Sequence, residues 1–170
     1  MCEWTELNDP LPDIIPNGET MVLPTYLLHW KRFDNLSCAF DEACVFGTGA
    51  RLILRFNTDI MNIGTASFHG VDIFERPDLA VYAKCHQHPH MKGFAKQEIS
   101  DPATGEIIVQ SSKQSYCVEA SLPYQFGTKV PCTSETTCDN QGLEPGMLDR
   151  YDKYLDVRIY HYCSLTLFKS

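Results

Sequence analysis

The sequence predicts a mainly β fold, with a β-sandwich-like core, long disulfide-stapled loops and little helix. Short apolar runs alternate with polar residues and are separated by Gly, Pro and Asn turns, which is typical of strands. No segment has a convincing helical pattern of apolar residues. Eight cysteines at irregular spacings predict disulfides that tie the loops together. At 170 residues the chain is long enough for one domain with a hydrophobic core.

Residues 1–24 are predicted to form an extended, Pro-rich N-terminal arm. Pro10, Pro12 and Pro16 each lack a backbone donor and have a fixed φ, which is incompatible with a helix interior. The main domain is expected over residues 25–156, and residues 157–170 are expected to form an atypical C-terminal tail.

The strands of the main domain are predicted from alternation and β-branched content. In chain order they span residues 26–33, 51–56, 60–68, 79–90, 94–99, 106–110, 115–118 and 154–162. Residues 57–59 and 101–105 are predicted turns, and the second should close a hairpin. Gly64 is expected at a bend or bulge, and residues 121–147 are expected to be a long loop.

The charge balance narrows the classes of partner. A formal net charge of -8 disfavours nucleic acid, whose phosphates require Lys and Arg, and suits a cationic partner or substrate. No run of eighteen apolar residues is present, so we expect no membrane span. Met1–Trp4 has neither the basic start nor the apolar segment of a signal peptide.

Cysteine usage predicts an oxidising compartment. The chain has no Cys-x-x-Cys pair, which argues against a zinc ribbon. Cys38 and Cys44 close a short loop, where a local disulfide is predicted and two buried thiols are the alternative. A glycosylation sequon at Asn35–Ser37 precedes this loop. Together these features predict a secreted, extracellular protein whose signal peptide lies outside this chain or is missing from an incomplete gene model.

The stretch Cys85–His90 carries the strongest functional signal. His86, His88 and His90 stand at every second position, and alternate side chains of an extended strand share a face. Three imidazoles could therefore close on one metal ion, for which copper, zinc, iron and nickel are suitable. The opposite face of the predicted strand is apolar and should meet the core; it comprises Leu79, Val81, Ala83 and Cys85.

Three other interpretations of the histidine tract remain open. The tract could be a polar surface strand, or it could hold a structural zinc ion. It could also belong to a cupin-type iron site, which requires a carboxylate soon after the first histidines and a distant further histidine. Glu98 and His161 are the residues available for those roles, and the spacing fits poorly.

The tract and a set of flanking motifs together resemble the lysyl oxidase catalytic domain. The resemblance covers roughly residues 11–156, and the ordered set is far more specific than any one motif. The matching segments are Leu11–Pro16, Asn35–Cys44, Leu54–Phe56, Asn62–Thr65, Cys85–His90, Lys113–Glu119, Gln141–Gly146 and Asp149–Tyr151.

The resemblance implies a copper site and a cofactor made from the chain itself. By motif position, His86, His88 and His90 would bind copper, and Lys113 and Tyr151 would be crosslinked into lysine tyrosylquinone. Such a quinone is an electrophile that takes up a primary amine and accepts two electrons from it. The implied reaction converts a primary amine and oxygen into an aldehyde, ammonia and hydrogen peroxide. An aspartate is expected as the base, but no motif identifies it.

The resemblance also implies substrates and partners. Protein lysine or small primary amines would be the substrates, with molecular oxygen, and extracellular matrix proteins would be partners. Cys85 would pair with Cys132, and Cys138 could pair with Cys117. Residues 157–170 depart from the family pattern and look like a foreign ending, such as a retained intron or frameshift. A truncated, catalytically inactive variant that binds copper or matrix is therefore the alternative.

Overall fold

A computed structural model of the protein describes residues 10–22, 26–42, 44–45, 47–110, 117–124, 136–154 and 165–169. Most of its regular structure is β-strand, with two short helices, which confirms the predicted fold class. No helix in these ranges is long and apolar enough to cross a membrane. The elements are β1 (Ile14–Pro16), α1 (Gly18–Val22), β2 (Leu27–Phe33), α2 (Cys38–Asp41), β3 (Gly49–Arg55), β4 (Thr58–Asn62), β5 (Phe68–His69), β6 (Ala80–Ala83), β7 (His88–Met91), β8 (Glu98–Ser100), β9 (Ile107–Gln110), β10 (Leu122–Pro123), β11 (Gly142–Leu143), β12 (Met147–Tyr151) and β13 (Leu165–Lys169).

The strands form several small antiparallel sheets. The largest has the order β1-β4-β12-β10, and a second has the order β13-β3-β2. Three further pairs are β5 with β11, β6 with β7, and β8 with β9. The predicted hairpin around residues 101–105 is confirmed: β8 pairs with β9, and Gly105 has a φ of 74° in the turn, which favours glycine.

Three predictions about local structure are wrong. The arm of residues 1–24 contains the helix α1, because the Asn17 side chain accepts a hydrogen bond from Glu19 N–H (3.1 Å) and so satisfies a donor at its first turn. The predicted turn at 57–59 is partly strand, since β4 begins at Thr58. The predicted loop 121–147 contains β10, β11 and the first residue of β12, which find pairing partners in distant parts of the chain.

The tail also contributes to a sheet. The backbone of β13 pairs with β3 from Leu165 opposite Leu54 to Lys169 opposite Arg51, with one irregularity. The sequence did not predict a strand there. The strand predicted at 154–162 lies almost entirely outside the described residues.

The N-terminal arm is held against β4 by Asn62, which is fully buried. Its amide oxygen accepts hydrogen bonds from Asp13 N–H (3.1 Å) and Gly64 N–H (3.0 Å). Its amide nitrogen donates to the carbonyls of Ala66 and Leu143, both at 2.8 Å. One side chain therefore connects the arm, the bend after β4 and β11, and so brings together the motifs Leu11–Pro16, Asn62–Thr65 and Gln141–Gly146.

Gly64→Ala is expected to destabilise the fold. A Cβ at position 64 would lie 2.4 Å from both Asp13 N and the Leu11 carbonyl oxygen, and backbone atoms cannot move away as a flexible side chain could. We expect the free energy of unfolding to fall by about 1–3 kcal/mol or more, measured by urea denaturation. Gly18→Ala is the matched control, because a Cβ there meets nothing within 4 Å. Equal midpoints for the two variants would contradict the packing at Gly64.

A buried cluster joins the elements that carry the candidate functional residues. Met91 of β7, Val118, Leu143 of β11 and Met147 of β12 pack together and are buried. These residues come from parts of the chain far apart in sequence. Their burial holds the histidine tract, the segment 117–120 and the strand of Tyr151 in one body.

Candidate metal centre

The histidine tract forms a hairpin, so the prediction of one continuous strand over residues 79–90 is wrong. β6 pairs with β7, with Ala83 opposite His88, and Gln87 has a φ of 63° in the connecting turn. His86 therefore lies in the turn, while His88 and His90 share a face of β7. The predicted apolar face is also wrong, since Val81 is exposed. Tyr82, the next residue of β6, is exposed as well, so neither face of this strand is fully buried by the described part of the chain.

The three imidazoles nevertheless converge. The ring centroids are 5.9 Å apart for His86 and His88, 5.4 Å for His86 and His90, and 5.0 Å for His88 and His90. The Nε2 atoms of His88 and His90 are 3.2 Å apart. Two ring nitrogens that approach so closely can face one common ion, and the buried position of His90 shields that point from water.

His86 contacts a carboxylate that the sequence did not single out. His86 Nε2 lies 2.9 Å from Glu42 Oε1, and the two side chains are only 2% and 19% exposed, respectively. Glu42 ends α2, where its N–H donates to the Cys38 carbonyl (2.9 Å). A carboxylate beside a ligating imidazole fixes the tautomer and orientation of the ring.

A disulfide brings Glu42 to His86. Cys38, the first residue of α2, is bonded to Cys85, the residue before His86, with their Cα atoms 5.6 Å apart. The predicted local bond between Cys38 and Cys44 is therefore wrong, as is the implied pairing of Cys85 with Cys132. The tip of the hairpin approaches α2 closely enough for a disulfide, and this long-range approach outcompetes the local loop. Cys44 is disulfide-bonded as well, but not to Cys38.

Glu42→Ala is expected to weaken metal binding without removing it. Loss of the carboxylate beside His86 should lower the affinity for Cu²⁺ by about 10–100-fold, measured by competition with a chelator of known affinity. Glu106→Ala is the control, since Glu106 is exposed in the β8–β9 turn. An unchanged affinity in Glu42→Ala would contradict the orienting role.

A second disulfide lies against His88. Cys117 is bonded to Cys138, which confirms the pairing suggested from sequence. Their sulfur atoms and a ring nitrogen of His88 all lie within 4.8 Å of one another. Sulfurs joined in a disulfide are not thiolates, and thiolates are the form in which Cys binds metal. The disulfide therefore borders His88 without supplying a metal ligand. The other two imidazoles supply the further nitrogen donors.

Tyr151 of β12 contacts the same disulfide segment, at Cys117. Its hydroxyl donates a hydrogen bond to the Cys117 carbonyl, and its side chain is buried. The Cys117 sulfur lies close to the His88 ring. Cys117 therefore lies between Tyr151, which contacts its carbonyl, and His88, which is close to its sulfur. Two residues that the sequence singled out are thus brought to the same place from strands β7 and β12.

Gln141 ties the parts of the site together. Its side-chain nitrogen donates to the carbonyls of Pro89 (2.7 Å) and Cys138 (3.0 Å). Its side-chain oxygen accepts from Val118 N–H (3.1 Å). The strand carrying His88 and His90 is thereby fixed to both segments of the second disulfide.

Asp149 lies on the same strand as Tyr151, two residues earlier, and is 4% exposed. Its carboxylate accepts hydrogen bonds from Glu119 N–H and Ser121 Oγ, both at 3.3 Å. Burial raises the pKa of Asp149 to about 8, although the hydrogen bond from Glu119 N–H acts in the other direction. Burial also raises the pKa of Glu119. A carboxyl with such a pKa can exchange a proton near neutral pH.

The structure brings together His86, His88, His90 and Tyr151, whereas Lys113 lies outside the described residues. Sequence reasoning missed Glu42, Gln141 and Asp149. Each belongs to a motif quoted for the family resemblance, so their motif membership was the available signal. A role for Asp149 could also have been suspected from its spacing of two residues from Tyr151, which places alternate strand residues on one face.

Comparisons with known proteins agree with the sequence resemblance. A family model described as Lysyl oxidase matches residues 12–165. Lysyl oxidase homolog 1 of Homo sapiens is 33% identical over 161 residues, covering 87% of this chain and 26% of that protein. Protein-lysine 6-oxidase of Sus scrofa is 31% identical over 160 residues, covering 87% of this chain and 61% of that protein. The chain therefore spans less than two thirds of the length of each of these relatives.

Proposed function

Because this chain belongs to the lysyl oxidase family, we propose that it is a copper-dependent amine oxidase. Its substrates would be primary amines, protein lysine among them, and its cofactor a quinone built from Lys113 and Tyr151. The products would be an aldehyde, ammonia and hydrogen peroxide, with molecular oxygen as oxidant. One observation carries the proposal: the buried Tyr151 hydroxyl contacts Cys117, whose sulfur lies beside the His88 ring.

The chemistry of the donor set fits copper. Imidazole nitrogens suit Cu²⁺ well, and copper stands at the top of the affinity order for divalent first-row metals. His86, His88 and His90 would hold the ion, and Glu42 would orient His86 from 2.9 Å. When bound, copper would supply the one-electron chemistry needed to oxidise the Tyr151 ring with oxygen.

The protein's own residues orient the tyrosine and keep water from it. The hydrogen bond from Tyr151 to the Cys117 carbonyl sets the direction of the ring, and the tyrosine is only 5% exposed. Arg150, between Asp149 and Tyr151, turns to the opposite face and forms a bidentate pair with buried Asp59 at 2.8 and 2.6 Å. This pair fixes the position of β12 against β4, so that Tyr151 is held in place.

The surroundings of β7 suit a cationic substrate. A cavity of about 330 Å³ on the Pro89 side of β7 is lined in part by Asp72, Asp139, Phe74 and Gln141, whereas the three histidines and Tyr151 do not line it. Two carboxylates and an aromatic side chain favour an ammonium group and its alkyl stem. The net charge of -8 would add a weak long-range attraction for basic protein substrates.

The proposed location is outside the cell. Disulfides such as those joining Cys38 to Cys85 and Cys117 to Cys138 persist in oxidising compartments. The sequon asparagine, Asn35, is exposed in a turn, where a glycan could be attached. Extracellular matrix proteins that present lysine side chains would be the partners.

The test is to load the purified protein with Cu²⁺ in air and look for the cofactor. We expect a positive redox-cycling quinone stain, a peptide mass corresponding to a Lys113–Tyr151 crosslink, and hydrogen peroxide release with a primary amine. Copper binding without a quinone would favour the inactive copper-binding alternative. Failure to bind copper would overturn the proposed function altogether.

A further inference from the structure

Cys117, Cys138 and His88 bring two sulfur atoms and a ring nitrogen to one place. These three atoms lie within 4.8 Å of one another, and Cys117 is only 1% exposed. Around a tetrahedral ion with bonds of about 2.0 Å to nitrogen and 2.3 Å to sulfur, the ligand atoms are about 3.5–3.8 Å apart. Once the sulfurs are no longer bonded to each other, small side-chain rotations would therefore direct all three atoms at one ion.

Hydrogen bonds hold the three segments together independently of the disulfide. The side-chain nitrogen of Gln141 donates to the carbonyls of Cys138 (3.0 Å) and of Pro89 (2.7 Å), the residue after His88. Its side-chain oxygen accepts from the N–H of Val118 (3.1 Å), the residue after the other cysteine. Reduction of the disulfide breaks none of these bonds, so the two thiols and the imidazole would remain neighbours.

Two further donors lie within reach of a fourth coordination position. Glu119 Oε1 is 3.7 Å from the Cys117 sulfur, and His90 Nε2 is 3.2 Å from His88 Nε2. Thiolate, imidazole and carboxylate are the ligand types that bind zinc in proteins, and a structural zinc site has four protein ligands. The cluster therefore has the donor types and the number of donors that such a site requires.

We propose that the dithiol form of this protein binds one Zn²⁺ through Cys117, Cys138 and His88, and that closure of the disulfide expels the ion. On binding, the S–H bond of each thiol breaks and its proton is released to solvent. On closure, the two sulfurs bond to each other and two electrons pass to a disulfide oxidant such as oxidised glutathione. The S–S bond of the oxidant breaks, and it takes up two protons to give two thiols.

The zinc site would control when the histidine tract becomes available. A newly made chain passes through the dithiol form before its disulfides close, so the burial of Cys117 does not prevent zinc from entering. His88 would belong to both sites, and one imidazole nitrogen cannot bind two ions. Copper would therefore be accepted by the three imidazoles only after the disulfide has closed. This consequence rests on the proposed function, whereas the zinc site itself needs neither copper nor quinone.

The experiment adds Co²⁺, as a spectroscopic substitute for zinc, to protein reduced with a phosphine in the absence of air. Thiolate ligation gives Co²⁺ an intense sulfur-to-metal charge-transfer band in the near ultraviolet, which imidazole ligation does not. The reduced wild type should show this band at one Co²⁺ per chain, and Zn²⁺ should abolish it. The disulfide-bonded wild type should not show it. His88→Ala should weaken binding by about 100-fold or more.

Two double variants with equal numbers of thiols identify the cysteines involved. Cys117→Ser/Cys138→Ser should lose the charge-transfer band. Cys38→Ser/Cys85→Ser, which removes the pair that forms the other described disulfide, should keep it. A band that persists in the first variant, or disappears in the second, would overturn the inference, because other cysteines would then hold the ion.

Two further measurements test whether the ion is held by the folded chain and released on oxidation. Zn²⁺ should raise the Tm of the reduced wild type but not that of Cys117→Ser/Cys138→Ser. Oxidised glutathione should then release one Zn²⁺ per chain as the Cys117–Cys138 disulfide appears in the peptide mass spectrum. A zinc-loaded chain without a cooperative unfolding transition, or zinc that stays bound after the disulfide closes, would overturn the inference. Neither result would affect the quinone test of the proposed function, and a missing quinone would leave the zinc site standing.

Discussion

Tyr151→Phe is expected to abolish quinone formation and amine oxidation completely while leaving copper binding unchanged. The substitution removes only the hydroxyl oxygen, from which oxidation of the ring would begin. It also removes the hydrogen bond to the Cys117 carbonyl, so the free energy of unfolding should fall by about 1–2 kcal/mol. The measurements are a quinone stain and hydrogen peroxide release, with copper content determined on the same sample.

Tyr124→Phe is the matched control for this substitution. The Tyr124 hydroxyl also donates to a backbone carbonyl, that of Asn62, at 3.2 Å. Tyr124→Phe should therefore have a similar cost in stability but retain the quinone. A quinone that still forms in Tyr151→Phe would refute the assignment of the cofactor tyrosine.

His88→Ala is expected to reduce copper affinity by more than about 100-fold, beyond the effect of losing an outer partner such as Glu42. His88 supplies the Nε2 atom that lies 3.2 Å from that of His90, so its removal leaves at most two imidazoles at the site. No quinone should then form at copper concentrations that saturate the wild type. Titration calorimetry and the copper(II) EPR spectrum would measure the change.

His69→Ala serves as the control for nonspecific copper binding by histidine. His69 is exposed on β5, which pairs with β11. Its loss should leave the EPR spectrum and the quinone yield unchanged. Equal losses of affinity in the two variants would show that the hairpin is not the copper site.

The histidine tract shows how far spacing alone can be used. Three histidines at alternate positions predicted a shared metal site, and their rings do converge. The predicted reason, a single extended strand, is wrong, because His86 lies in the turn of a hairpin. Alternation is compatible with a strand and with a strand entered from a turn, and the pairing of β6 with β7 decides between them.

For the cysteines, spacing along the chain predicted the wrong disulfide. A seven-residue loop suggested a bond between Cys38 and Cys44, since short loops close at low entropic cost. The observed bond joins Cys38 to Cys85 across 47 residues. Loop length measures only the cost of closure, whereas the approach of α2 to the hairpin depends on packing that no local pattern contains. The same approach puts Glu42 next to His86.

The amino-acid sequence determined the fold class, the family and most of the candidate residues, because alternation, residue type and motif order are local properties of the chain. Only the tertiary structure decided the contacts of Tyr151 with Cys117, of Gln141 with Pro89, and of Glu42 with His86. It also decided the burial of Asp149, on which the basicity of that carboxylate depends. Desolvation and long-range contacts arise from how strands pair and pack. The same local sequence can therefore have a different burial and different contacts in another fold.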